Sequence, residues 1–281
     1  MTIMQDSTHT VKTDSSIRMP TWFIPHGGGP CFFMDWNPAD AWLKMANFLK
    51  SLPSSLPQTP KAIVVVSAHW LESTVSVTGA SSPELIYDYY GFPAHTYELK
   101  YPAPGNPALA SDIVHALERA NIPAKIDPTR GFDHGMFIPM MLMFPKANIP
   151  VIQLSLNSNL DPLTQIELGQ ALEGLRNQGV LIIGSGMSFH NMRGYGDPRY
   201  APISDEFDLW LTQAVQASPI KRHEALLNWD KAPSARHCHP PRQEEHLLPL
   251  MVAVGAAHGE PGIKVFSDRV METTLSAFVF G

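Results

Sequence analysis

Five histidines of this 281-residue chain sit where chemistry could be done. His26 follows the short apolar run Thr21–Pro25 and precedes Gly27-Gly28-Gly29. His69 closes the longer run Lys61–Ala68. His190 follows Val180–Gly184 through Ser185-Gly186-Met187-Ser188-Phe189. His134 lies in Gly131-Phe132-Asp133-His134-Gly135, and His246 in Glu244-Glu245-His246-Leu247-Leu248-Pro249. Neutral imidazole is the commonest side-chain metal ligand, and it exchanges protons near neutral pH. One loop histidine is ordinarily solvated or hydrogen-bonded. Several at strand ends, beside glycines that let the backbone approach closely, suit a catalytic ion with open coordination positions. A structural zinc would show close-spaced cysteine pairs, and the two cysteines, Cys31 and Cys238, lie far apart.

The remaining histidines carry weaker signals. His9 falls in the polar N-terminal tail, and His115 and His223 read as solvated helix positions. His95, in Phe92-Pro93-Ala94-His95, could line a pocket. His237 and His239 flank Cys238 in a proline-bounded tract with little freedom to wrap an ion. His-Gly-Gly-Gly at 26–29 is also the pattern of an esterase oxyanion hole. A serine hydrolase needs a Gly-x-Ser-x-Gly elbow besides, and Gly184-Ser185-Gly186-Met187-Ser188 has the wrong order.

The elements that must position these residues are legible as alternating runs. Lys61–Ala68, Pro150–Leu156 and Val180–Gly184 are continuous and rich in β-branched residues, as strands buried on both faces are. Thr21–Pro25 and Ile263–Phe266 are shorter candidates. Helices are expected over Leu109–Ala120, Gln165–Gln178, Asp205–Ala217 and Glu244–Ala257, the last opened by His246. Strands alternating with helices predict an α/β fold in which a central, mostly parallel or mixed sheet is flanked by helices on both faces. No composition break divides the chain. The expectation is a flexible tail over residues 1–18 and one domain over 19–281. Ligands of such sheets bind outside the carboxyl ends of the strands, where the histidines fall.

Composition narrows the function. Apolar residues make up 44% of the chain and charged residues 16%, enough for a substantial core. The formal net charge of −6, with no Lys/Arg run, argues against a nucleic-acid partner. The polar first 18 residues lack the apolar stretch of a signal peptide, and no apolar run approaches the ~20 residues that span a bilayer. A cytoplasmic protein without membrane partner is expected, and two cysteines form no disulfide framework.

Taken in order, Pro25-His26-Gly27-Gly28-Gly29-Pro30, Ser67-Ala68-His69-Trp70, Tyr90-Gly91-Phe92-Pro93, Gly131-Phe132-Asp133-His134-Gly135, Gly184-Ser185-Gly186, His190-Asn191 and Glu245-His246-Leu247-Leu248-Pro249 resemble the class III extradiol ring-cleavage dioxygenases, in their DOPA 4,5-dioxygenase branch. The resemblance runs from about Pro20 to the C-terminus. It implies cleavage of a catechol ring by non-haem Fe(II) and O2, with Zn(II) able to occupy the same imidazoles. It makes His26 and His69 metal ligands, with the third at His246. In the wider family a glutamate takes that place, so Glu244 and Glu245 are alternatives. It makes His190 the acid–base residue, or a further ligand, and puts His134 in the substrate pocket. Trp70, Tyr90, Phe92 and His95 would flank a small aromatic substrate. The segment His239–His246 is longer than the family's usual spacing. A non-catalytic relative of the Memo type shares this fold; His190 and His134 argue for the enzyme instead.

Overall fold

A computed structural model describes residues 17–281. The expected tail and His9 therefore lie outside the described residues, except for Ile17 and Arg18. Arg18 is not loose: its guanidinium contacts Glu260 and Glu173, each at 2.9 Å.

Eight strands form one mixed sheet. They are β1 (Thr21–Pro25), β2 (Ala62–Glu72), β3 (Val75–Thr78), β4 (Ala124–Asp127), β5 (Val151–Asn157), β6 (Val180–Gly186), β7 (Gly262–Val270) and β8 (Thr273–Phe280), in the spatial order β4-β3-β5-β2-β6-β1-β8-β7. The central pairs β5–β2, β2–β6 and β6–β1 are parallel, and β8 and β7 continue the sheet antiparallel. The helices are α1 (Leu43–Ser51), α2 (Pro107–Arg119), α3 (His134–Met143), α4 (Pro162–Arg176), α5 (Tyr200–Gln216), α6 (Pro219–Leu227), α7 (Ala235–Cys238) and α8 (Leu248–Ala257). The α/β architecture expected from the alternating runs is the one observed.

Side-chain alternation in the central strands shows how both faces are covered. In β6, a Cβ on Gly184 or Gly186 would run into Pro249 or the His246 carbonyl, so these positions face α8 and the turn before it. Ser185, between them, points the other way and bonds the Gly135 carbonyl of α3. Its parallel neighbour in β2 is Ser67, which faces α3 as well. Thr21 of β1 bonds the Ala253 carbonyl of α8. Helices α8 and α4 thus close one face, and α3 with α1 the other. Because the central strands are buried on both sides, their sequences are largely apolar rather than alternating, with Ser67, Gln153, Ser155 and Ser185 as buried polar exceptions.

Two expected elements are placed differently, and a third element was not expected. Strand β2 runs to Glu72, past the expected end at Ala68, so His69 lies within it. Beyond Ser67 the strand leaves β6 and, across an irregularity between Val66 and Leu71, stays paired with β5. The C-terminal apolar helix begins at Leu248, not Glu244; residues 245–247 form a turn, and His246 precedes the helix instead of opening it. Helix α3 had no amphipathic signature because it is apolar on all sides and almost wholly buried. It also contains Pro139, which lacks the N–H that would bond the Gly135 carbonyl. The Ser185 hydroxyl fills that vacancy.

Candidate active site

The carboxyl ends of β1, β2 and β6 open into a cleft of ≈ 430 Å³. His26 is the first residue after β1, and its backbone N–H extends the ladder to the Gly186 carbonyl. His69 projects from the extended end of β2. His246 is held by its own backbone, whose carbonyl accepts the Met187 N–H just past β6 at 2.8 Å. These three histidines arrive from separate segments, and their Nε2 atoms converge. His69 Nε2 lies 3.3 Å from His26 Nε2 and 3.3 Å from His246 Nε2.

The outer nitrogens explain that orientation. His26 Nδ1 donates to the Gly27 carbonyl at 2.8 Å, and His246 Nδ1 meets Glu245 Oε1 at 2.9 Å. His69 Nδ1 faces Asp88 Oδ2 at 3.8 Å. With protons on the outer nitrogens, the Nε2 lone pairs point at one another. That is unfavourable between bare imidazoles and favourable around a shared cation. Burial, and then the neighbouring imidazoles, hold His26, His69 and His246 well below the ordinary histidine pKa, so each is neutral near pH 7 as a ligand must be. The donor set fits a single metal ion.

Two further histidines border this cluster. The His190 ring stacks on His246 with centroids 3.3 Å apart and 12° between planes, and the His190 backbone N–H donates to the Cys238 carbonyl. Its Nδ1 has no hydrogen-bond partner and lies 3.8 Å from Glu245. Burial, followed by the neighbouring His134, pushes the His190 pKa down to about 4. His134 starts α3 and gives its Nδ1 and its backbone N–H to Asp88 Oδ1, at 2.8 and 2.9 Å. Against the upward pull of burial, the bonds and charge of His134 hold Asp88 below the usual carboxylate range. Asp133 caps α3 through the Met136 N–H and is bonded by Ser67 Oγ at 2.7 Å and by Gln153 Nε2. Helix α3 is thereby tied to β2, and His134 to His69.

The sequence-derived candidates divide cleanly. His26, His69, His134, His190 and His246 all line the cleft, as do Tyr90 and Phe92. Trp70 and His95 do not. The Trp70 indole is buried under the Arg130 guanidinium and donates to Glu72, whereas His95 turns to the Phe33 carbonyl at 2.9 Å. Glu244 is engaged with Arg236 at 2.6 Å, and Glu245 stands behind His246 rather than among the converging nitrogens. Within the His237–His239 tract, Cys238 is buried and His239 Nε2 bonds the Ser188 carbonyl, so no donor set forms there. The segment before His246 contains a turn in which the Gln243 N–H donates to the Pro240 carbonyl. Ser185, committed to Gly135, is no nucleophile. Asp88 was not anticipated, although it stands in Tyr87-Asp88-Tyr89-Tyr90, directly before a recognised motif. Trp36, Trp42, Met187, Met192, Tyr195 and Met271 also line the cleft; the pair of tryptophans in Asp35–Trp42 was the available sign.

A mixed α/β sheet brings three imidazoles together at its carboxyl edge inside an aromatic cleft, a donor set that fits one metal ion. The chain belongs to the family described as the catalytic LigB subunit of aromatic ring-opening dioxygenase, which matches residues 20–279. It is 40% identical over 244 residues to a 4,5-DOPA dioxygenase extradiol of Beta vulgaris, covering 84% of this chain and 86% of that one. A protein of the same name from Escherichia coli K12 is 35% identical, over 93% of this chain and 94% of its own. The dioxygenase tasH of Hapsidospora irregularis is 36% identical, over 95% and 88%. Among solved structures, an uncharacterized Escherichia coli K12 protein superposes with a TM-score of 0.76 at 29% identity, over 94% of this chain and all of that one. The protein is accordingly an oxidoreductase of the extradiol dioxygenase family. No helix among the described residues is long and apolar enough to cross a membrane.

Proposed function

We propose that the protein opens the ring of a catechol with O2, using Fe(II) held by His26, His69 and His246. The convergence of three Nε2 atoms on the floor of an aromatic cleft carries this reading. Iron bound there would supply a template that brings the two catechol oxygens and O2 together and lets electrons pass between them. Zn(II) could occupy the same nitrogens, without redox chemistry.

The chain's own residues supply the rest. A catechol must lose protons to chelate. His190, which lines the cleft beside His246 and is neutral at pH 7, accepts one. His134, with Nδ1 committed to Asp88, presents Nε2 to the cleft and orients a substrate oxygen. The aromatic walls, Tyr89 and Phe92 among them, flank a planar ring and keep water from it. DOPA is the catechol that the relatives' names put forward for trial.

The test is anaerobic loading with Fe(II), followed by a catechol and then O2. A yellow ring-opened product that requires all three components is expected. Tight catechol binding without any product would leave a binding protein on this fold.

A further inference from the structure

The lining of the cleft names the substrate more narrowly. We infer that the catechol taken by this enzyme carries an uncharged, apolar substituent and not an amino-acid or carboxylate side chain. This inference rests on the ring-cleavage reading above. Among the described residues no lysine or arginine lines the cleft, and its one charged residue, Asp88, is already engaged by His134 and faces His69. With the iron occupied by the two catechol oxygens and O2, a substrate carboxylate inside would lose its water and gain no cationic side chain as partner, a cost that disfavours it.

The mouth is apolar as well. Tyr90 is 91% exposed, Met192 69% and Met271 39%, and all three border this cleft. Single exposed apolar residues are ordinary; three gathered at the rim of one cavity, from three separate segments, mark a surface that something apolar covers. A substituent leaving the ring toward solvent would lie against this rim. Methionine suits such a contact, since its flexible thioether adapts to irregular shapes and packs well on aromatic groups.

A matched pair of substrates tests this: 4-propylcatechol and 3-(3,4-dihydroxyphenyl)propanoate, which share ring and chain length and differ in the terminal carboxylate. DOPA is the third substrate. With the Fe(II)-loaded enzyme, kcat/KM for propylcatechol should exceed that for the propanoate and for DOPA by at least about tenfold. Anaerobic titration followed by tryptophan fluorescence, with Trp36 and Trp42 in the cleft, should rank affinities in the same order. In Met192→Arg the ratio of propanoate to propylcatechol should rise several-fold. Equal or better turnover of DOPA or the propanoate by the unaltered enzyme would overturn the inference and leave ring cleavage standing. Failure to cleave any of the three would overturn the ring-cleavage reading itself, and this inference with it.

Discussion

The Nε2 atoms of His26, His69 and His246 are turned toward one another by what holds their outer nitrogens, as the proposed ligand set requires. Replacing any one of them by alanine should remove most of the bound iron while the protein remains folded, as read by elemental analysis and circular dichroism; full iron content in any of the three would place the metal elsewhere. Glu245 and His246 should behave differently from each other. Glu245 bonds His246 Nδ1 from behind, so Glu245→Ala is expected to weaken iron binding by roughly 10–100-fold, the effect of losing an outer partner, where His246→Ala abolishes it. The reverse order would make the site a two-histidine carboxylate centre. On the proposed mechanism His190 moves a proton and does not bind the ion. His190→Ala should keep its iron and its affinity for catechol and lose about 10²–10⁴-fold in kcat. Loss of iron in that variant would make His190 a fourth ligand.

Secondary-structure elements set the distances among these groups. The turn carrying His246 is pressed against β6 at Gly186, where even one methyl group would strike the His246 carbonyl. Gly186→Ala should therefore lower iron affinity at least tenfold although residue 186 touches no ligand atom, and an isothermal iron titration would show it. Helix α3 depends on Asp133, which caps it and accepts from Ser67 and Gln153 in the core. Asp133→Ala removes a helix cap and leaves buried donors unpaired, at a cost of roughly 2–4 kcal/mol. Because α3 begins with His134, the same change should reduce kcat. Urea denaturation and turnover, measured on one preparation, would register both effects; a stability loss with unchanged kcat would separate the helix from the chemistry.

At the scale of the whole molecule, burying so many neutral imidazoles makes the fold sensitive to acid. His26, His69, His190, His239 and His246 all have pKa values lowered by burial, to about 4 for His190 and about 3 for His239. Below the unfolded value near 6.5, the unfolded chain binds protons that the folded chain refuses. Stability is therefore complete above about pH 6.5 and is lost as pH falls toward the folded values. His239, fully buried with its Nε2 on the Ser188 carbonyl, should account for about 2 kcal/mol of loss between pH 6.5 and 5. Urea midpoints of the metal-free protein should decline over that range. In His239→Gln the decline should be shallower by one proton, whatever the variant does to stability at pH 7. An unchanged slope would mean that His239 titrates alike in both states.

Apolar runs between polar turns were enough to locate the strands that build the site, because a strand buried on both faces has few polar positions: Thr21–Pro25, Lys61–Ala68, Pro150–Leu156 and Val180–Gly184 each lie on an observed strand. The histidines that follow those runs were readable for the same reason, since carboxyl strand ends are where such sheets place their ligands. Tertiary structure alone decided the rest. Helix α3 was invisible because total burial erases periodicity, and Pro139 is tolerated there only because Ser185, 46 positions on, takes the freed carbonyl. Which of Glu244, Glu245 and His246 faces the cluster turns on one bend before α8 and on Arg236 drawing Glu244 aside. Trp70 and His95 stood in the right motifs and were claimed by Arg130 and the Phe33 carbonyl. Asp88 acquires its role only when folding brings it against His134, 46 residues away. Chemistry-bearing residue types are a property of the chain; their partners and directions are long-range, and only packing assigns them.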